Sequence, residues 1–595
     1  MGAPMRVLGI SCYFHDASAC LLEDGKLIAA AEEERFTRIK HDPSFPTHAI
    51  RFCLEQGGID GPDLDYVVFF EKPFVKFERL LMTAVSGFPR TYMQFVHGMR
   101  SWLFDKLWIR SRIESELGID KNRILFSDHH VSHAASAYFC SPFDRAATLT
   151  FDGVGEWATA TIGIGDGHSL SVKRELRFPH SLGLLYSAFT AFLGFEVNEG
   201  EYKVMGMAPY GTPRYADRIR EIVEQHDDGS VWTDHHYFSF HHSTHRSFTS
   251  RFEKLFGEPR DPNVPFFTED TGWPSYYGDM PTNHQDLLRY NQRYADIAAS
   301  IQHVTEELVL KLAEETHKET GLTKLCMAGG VALNAVANGR VLNETPFEEV
   351  YIQPSAGDGG GSLGAALYAW HCALGNSERF VMDHPYWGQE YRHDAIQTAI
   401  ETSGCRWTRF EDDDRLIDAT VDRITEGDVV GWFQGRFEWG PRALGNRSIL
   451  ADPRRADMKD IVNGKVKFRE PFRPFAPSVL ADAAPDYFRL PNDAGGMPER
   501  FMLVVAPIED SKRDAIPAVD HMGTARPQTV YKETNPRYHE LVRRFGEATG
   551  EPVLLNTSFN VRGDPIVASP DDALDTFHKS GIDALVAGEF LIEKE

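Results

Sequence analysis

Ala146-Ala147-Thr148-Leu149-Thr150-Phe151-Asp152-Gly153 reads as a buried strand broken by an Asp-Gly turn, and the fold is decided by it. Two more strand-like runs follow, Thr159 to Ile164 and Leu170 to Val172. The same order opens the chain: Met5 to Ile10, the loop at His15-Asp16, Ala19 to Leu22, the turn at Asp24-Gly25, then Lys26 to Ala31. A strand–turn–strand opening with an Asp after its first strand thus occurs twice and predicts an internal duplication. Further out, helical spacing covers Thr47 to Gln56, Ser187 to Leu193, Ala295 to Thr320 and Ser362 to Ala373. Strand candidates fall at Val67 to Phe70, Arg123 to Phe126, Leu325 to Ala328 and Val350 to Ile352. Strands alternating with helices predict an α/β fold.

A polar stretch from Asn376 to Asp394 carries Pro385 and Gly388 and predicts a boundary, giving domains 1–376 and 377–595. Beyond it, strand-like runs at Val429 to Phe433, Phe501 to Val505 and Val553 to Leu555 are separated by Arg-rich turns. The stretch Asp227 to Gly278, rich in His, aromatic residues and Pro, predicts a long irregular insertion. Its His235, His236, His241, His242 and His245 suggest either a second metal or, as the better reading, a solvated loop.

The 595 residues are 42% hydrophobic and 25% charged, enough for more than one core. With Lys+Arg at 62 and Asp+Glu at 87, the net charge is −25, which argues against coating nucleic acid or an anionic membrane. No run of 18 apolar residues exists. Met1 to Ser18 has no charged start followed by an apolar block, and Arg6 breaks a myristoylation motif. Seven scattered cysteines without a C-x-x-C pair predict a cytoplasmic protein with reduced thiols.

His129 to Ala137 is small-residue rich, so it is read as helical, with His129 and His133 one turn apart on one face. Asp152 closes one apolar strand, and Asp358 sits in Gly357-Asp358-Gly359-Gly360-Gly361, between a strand and a helix. Two neutral imidazoles and two carboxylates balance a divalent cation, whereas each residue alone reads as a turn former or cap. Two glycine loops read as nucleotide cradles: Gly329-Gly330 with Asn334, and Gly200 to Gly206 around Lys203. Neither fits a dinucleotide fingerprint or a P-loop.

From Gly431 to Leu480 there are ten Lys/Arg against five Asp/Glu, reversing the balance of the chain. Arg436, Arg442, Arg447, Lys465, Lys467, Arg469 and Arg473 are interleaved with Gly, Pro and aromatics, which suits an anion pocket. Asn556, Ser558, Asn560, Arg562 and Arg526 are candidate donors to the same pocket.

Together with His15-Asp16-Ala17-Ser18, Gly440 to Ser448 and Leu555 to Asn560, these motifs resemble the O-carbamoyltransferases. That family includes nodulation-factor, cephamycin, tobramycin and novobiocin carbamoyltransferases, and Phe70 to Leu80 looks most similar to the saxitoxin-pathway type. The resemblance implies a duplicated actin/sugar-kinase/Hsp70-like first domain similar to the tRNA threonylcarbamoyl-transfer protein, and a YrdC-like α+β second domain. It implies carbamoyl-adenylate made from carbamoyl phosphate and ATP with Mg2+, then transfer of the carbamoyl group to a hydroxyl of a small-molecule natural product. It implies Fe2+, or another divalent metal, on His129, His133, Asp152 and Asp358, with His15 near the acceptor hydroxyl. His15, Asp16, Lys467 and Arg469 are the expected catalytic residues. Lys203, Gly329, Gly330, Asn334, Arg442, Arg447, Arg473, Arg526, Asn556, Ser558 and Asn560 are the expected nucleotide and carbamoyl-phosphate contacts. A homodimer is expected. The rival readings are a tRNA-modifying threonylcarbamoyl-transfer-like enzyme, a sugar kinase and a nucleotide-dependent binding module.

Overall fold

The computed structural model describes residues 4–104, 106–243, 246–491 and 496–594. The chain divides into two compact units. The first comprises residues 1–33, 41–265 and 292–382; the second takes residues 34–40, 266–291 and 383–595.

The first unit traces one path twice. Strand Arg6–Ser11 pairs antiparallel with Ser18–Glu23, which pairs antiparallel with Lys26–Glu32. On its other edge Arg6–Ser11 runs parallel to Tyr66–Phe69, and that strand runs parallel to Ile124–Phe126. In the second sheet Arg145–Phe151 plays the part of Arg6–Ser11. It pairs antiparallel with Ala158–Asp166, which pairs with Ser169–Arg177, and lies parallel to Lys324–Ala328, followed by Glu349–Tyr351. Order and orientation are therefore the same in both five-stranded sheets. Parallel neighbours need crossover connections, which is why each sheet returns through helices such as Thr47–Gly57 and Ala335–Glu344.

Two helices built from small residues position the site. His129–Tyr138 packs on Gly361–Tyr368, and a methyl group on Gly364 would fall 1.7 Å from the Ser132 carbonyl oxygen. A methyl on Gly9 would fall 1.9 Å from the Ser362 oxygen. Glycine at both places lets helix meet helix and helix meet strand at backbone distance.

The second unit holds an eight-stranded mixed sheet. Its order is Arg406–Arg409, Phe590–Glu593, Ala584–Ala587, Val430–Phe433, Arg447–Ala451, Val553–Ser558, Ala476–Leu480, Gln528–Val530. Successive residues feed opposite faces, as the pleat requires. Ile449 and Leu555 join a core with helices His393–Ser403 and Pro570–Lys579, while Leu450 and Leu554 join one with Asp413–Thr425 and Pro536–Thr549.

Two sequence readings are corrected. Phe501 to Val505 is not a strand: it is a buried turn after helix Met497–Arg500, and the short strand Ala506–Pro507 follows. An apolar run records burial, and burial alone does not fix an extended backbone. Gly200 to Gly206 is not an open loop, because Glu201–Met207 is helical. The insertion Asp227 to Gly278 is largely irregular but carries strand Val231–Thr233 and helix Ser250–Phe256. Among the described residues, no helix is long and apolar enough to cross a membrane.

Candidate metal centre and anion pocket

His129 and His133 stand one turn apart, both buried, with their Nε2 atoms 3.1 Å from each other. His129 Nε2 lies 3.0 Å from Asp152 Oδ2 and 3.6 Å from Asp358 Oδ1. His133 Nε2 lies 3.4 Å from the same two oxygens. One ligand atom from each of the four residues fits within 4.8 Å of all the others.

Each ligand is held by its own local structure. Asp128, at the N-cap of the histidine helix, makes no capping bond through its side chain. Glu156 does this instead from a distant turn: its two oxygens accept the His129 N–H at 3.1 Å, and one also accepts the Lys72 N–H at 2.7 Å. Arg79 donates to the Gly155 carbonyl at 2.9 Å, and a methyl on Gly155 would meet the His129 side chain at 2.9 Å. Asp152 accepts the Gly330 N–H through Oδ1 at 3.2 Å, which leaves Oδ2 to the imidazoles. Gly329 makes that approach possible, with φ at +98° and no room for a methyl beside the Phe151 oxygen at 2.2 Å.

Burial opposes charge on Asp152, but hydrogen bonds from His129 and His133 hold its carboxyl well below the usual range. Burial likewise opposes charge on His133, yet Asp152 and Asp358 raise it to about 9. Both oxygens of Asp358 are buried without a hydrogen-bond partner among the described residues. A buried carboxylate without donors is costly unless a cation meets it. Neighbouring His130 is different. It bonds Thr150 Oγ1 at 2.7 Å, and burial keeps it well below the imidazole range, so it belongs to the packing.

His15 and Asp16 lie in the loop after strand Arg6–Ser11. His15 Nδ1 bonds Asp16 Oδ2 at 2.8 Å, and its Nε2 is 3.8 Å from Asp358 Oδ2. Burial would lower its pKa, but Asp358 and Asp16 raise it to about 10. Asp16 Oδ1 takes a second imidazole, His41, at 2.7 Å. His41 is the partner that the sequence reading missed, and Glu156, part of the motif Asp152-Gly153-Val154-Gly155-Glu156, was given no role there. What each touches lies 25 and 27 positions away in the chain.

The other residues of this unit are placed less centrally. Asn334 is the N-cap of Ala335–Glu344, and its amide exchanges two hydrogen bonds with Gln302, so its polar groups are committed to the fold. Lys203 lies on its helix with its ammonium 5.6 Å from the Phe195 ring centroid. His235, His236, His241 and His242 form no ligand group among the described residues, and His245 lies outside them.

In the second unit, Lys467 ends the turn Asn463–Lys467 and points its buried ammonium at the Ser558 and Asn560 oxygens. Burial, then Arg469, Arg473 and Lys40, push its pKa well down. Arg526 is depressed in the same way, by burial and then by Arg442, Arg469 and Arg473. Lys459, a further member, is lowered to about 8 by burial and Arg469. Such a concentration of mutually repelling cations is an environment that an anion would stabilise. Arg447 and Asn556, also expected in the pocket, carry hydrogen bonds within the sheet. Both terminal nitrogens of Arg447 donate to backbone carbonyls, those of Gln434, Asn446, Gly435 and Ala568. Asn556 is tied to Ala443, Ser478 and Gln528. A fully buried guanidinium needs carbonyls to replace its water, so these two brace the sheet.

A chain that carries a duplicated α/β unit with a buried His/Asp cluster and a second unit rich in clustered cations defines the class. Residues 6–367 match the carbamoyltransferase N-terminus family and residues 421–594 the carbamoyltransferase C-terminus family, and the chain belongs to the carbamoyltransferases. The chain is 45% identical to the Synechocystis sp. protein sll1178, with 99% of this chain and 97% of that protein covered. It is 37% identical to the nodulation protein NolNO of Sinorhizobium fredii, covering 98% of this chain and 79% of NolNO. Among solved structures, full-length HypF in a phosphate- and nucleotide-bound form aligns at 15% identity and a TM-score of 0.30, over 63% of this chain and 47% of HypF.

Proposed function

We propose that the protein is an ATP-dependent O-carbamoyltransferase acting on a hydroxyl of a small-molecule natural product. The observation that carries this is the convergence of His129, His133, Asp152 and Asp358 in a member of this family. The domain 1–376 is taken as the actin/sugar-kinase/Hsp70-like transfer domain, which the repeated sheet order within it supports. The second, about 377–595, is taken as a YrdC-like domain that makes carbamoyl-adenylate from carbamoyl phosphate and ATP with Mg2+.

The donor set suits iron(II) or another divalent ion: two imidazoles, two carboxylates and the unpartnered buried oxygens of Asp358. Such an ion would supply Lewis-acid stabilisation of the charge on the departing AMP phosphate. In the second unit, Lys467, Arg469, Arg473, Arg442 and Arg526 bind and neutralise the phosphates, and Ser558 and Asn560 hold the Lys467 ammonium in place. Water cleaves carbamoyl phosphate to carbamate and inorganic phosphate, the carbamate oxygen attacks the α-phosphorus of ATP as pyrophosphate leaves, and the carbamoyl-adenylate formed offers AMP as the leaving group. In transfer, the acceptor oxygen bonds the carbamoyl carbon, the bond to the AMP oxygen breaks, and the hydroxyl proton passes to His15. With an ion held by His129, His133, Asp152 and Asp358, the Asp358 charge would be met by that ion, and His15, oriented through Nδ1 by Asp16, would serve as the base.

The test is incubation with carbamoyl phosphate, ATP and a panel of natural-product alcohols, read by mass spectrometry. A carbamate adduct that requires both co-substrates is expected. An adduct formed without ATP contradicts the adenylate route, and tight, salt-sensitive tRNA binding without an adduct favours the threonylcarbamoyl-type reading.

A further inference from the structure

We infer that His41 is a positioning residue for carbamoyl transfer: through Asp16 it fixes the ring of His15. The inference rests on the first unit being the transfer centre proposed above.

One carboxylate joins two imidazoles. His41 Nδ1 meets Asp16 Oδ1 at 2.7 Å, and Asp16 Oδ2 meets His15 Nδ1 at 2.8 Å. An ionised carboxylate only accepts, so both rings present Nδ1–H to it. His15 is thereby left with Nε2 turned to Asp358, at 3.8 Å, free to meet the acceptor hydroxyl of the transfer proposed above. A base whose orientation is fixed by a third group is the logic of catalytic triads. Here the third group is itself held by a fourth.

The backbone is arranged around this contact. Asp16 and His41 both lie in the left-handed region, at φ 52° and 55°, as does Tyr13 at 75°. Non-glycine residues persist there when the surroundings over-determine them. Two backbone bonds do so: Tyr13 N–H to the Pro43 oxygen at 2.7 Å and Ala17 N–H to the Asp42 oxygen at 2.9 Å. They zip the His15 loop to the segment carrying His41. The side chain of His41 is 30% exposed and that of Asp16 29%, so filling a core does not account for either.

Two substitutions separate hydrogen bond from backbone. His41→Asn keeps a donor close to the Nδ1 position and tolerates the left-handed conformation. His41→Gly tolerates the conformation and lacks the donor. Crystal structures of both full-length variants give a readout independent of turnover. In the Asn variant the Asp16–His15 bond is expected to persist; in the Gly variant Asp16 is expected to leave His15 Nδ1. With carbamoyl phosphate, ATP and the alcohol panel, kcat for carbamate formation is expected to fall about 10- to 100-fold in His41→Gly. The acceptor KM should stay within about 3-fold, and His41→Asn should retain most of kcat. Retention of the Asp16–His15 bond and of wild-type kcat in His41→Gly overturns the inference, as does an equal loss in both variants. Wild-type transfer by His15→Ala would instead overturn the transfer-centre reading, a result distinct from any outcome at His41.

Discussion

Asp358 shows most plainly what single residues contribute. Its two oxygens face imidazoles in a buried site and accept nothing else among the described residues. Asp358→Asn is therefore expected to abolish the rise in Tm that a divalent ion gives the wild-type chain, read by thermal melting with and without the ion. In chelator-treated protein the cluster would also set a pH dependence. His15 and His133 are raised to about 10 and about 9, above the unfolded imidazole value of about 6.5. Their stabilising contribution is full below about 6.5 and is lost as pH rises through 9 to 10. Chelator-treated protein should lose Tm over that window, whereas a cation-loaded sample should not show the same slope. In the second unit the sign of a substitution is reversed. Arg526 is half-buried and repelled by Arg442, Arg469 and Arg473, so Arg526→Gln should raise Tm in the absence of anions and remove the stabilisation given by pyrophosphate or ATP. At this scale the sequence is readable where spacing carries the message, as for His129 and His133. It is silent where a partner arrives from another loop, as Glu156 and His41 do.

Elements turn those residues into a site. The histidine helix and the helix after Asp358 touch through Ser132 and Gly364, and their small side chains are what the sequence displayed as Ala- and Gly-rich runs. Gly364→Ala places a methyl 1.7 Å from the Ser132 oxygen, so one helix must move. A loss of about 1–3 kcal/mol is expected by denaturant unfolding, with weaker divalent-ion binding in the surviving fold. Glu156→Gln tests the cap alone: the N–H of His129 loses a charged acceptor, and ion affinity should fall about 10- to 100-fold by calorimetry with all four ligands intact. The strand–Gly-Gly–helix passage at Ala328 to Asn334 was legible because Gly329 occupies a conformation that suits glycine. The passage at Gly200 to Gly206 was not, since glycines spaced along a chain do not exclude a helix once its neighbours bury it.

Across the whole molecule, the duplication was legible because each copy opens with the same strand–turn–strand pattern, and pattern follows the period of the backbone. Its second half, the parallel strands reached through long crossovers, could be read as elements but not paired by sequence alone. The cationic segment was legible by its reversal of charge, yet charge could not separate Lys467, which is aimed into a polar cluster, from Arg447, whose guanidinium bonds carbonyls. The division of labour between the units gives the sharpest check. The full-length His129→Ala/Asp358→Ala variant should be supplied with carbamoyl phosphate, ATP and the alcohol panel, with pyrophosphate and carbamate ester followed together. Pyrophosphate release at close to the wild-type rate with no carbamate ester is the expected result. Carbamate ester formed at the wild-type rate would show that these four side chains do not hold the centre of transfer.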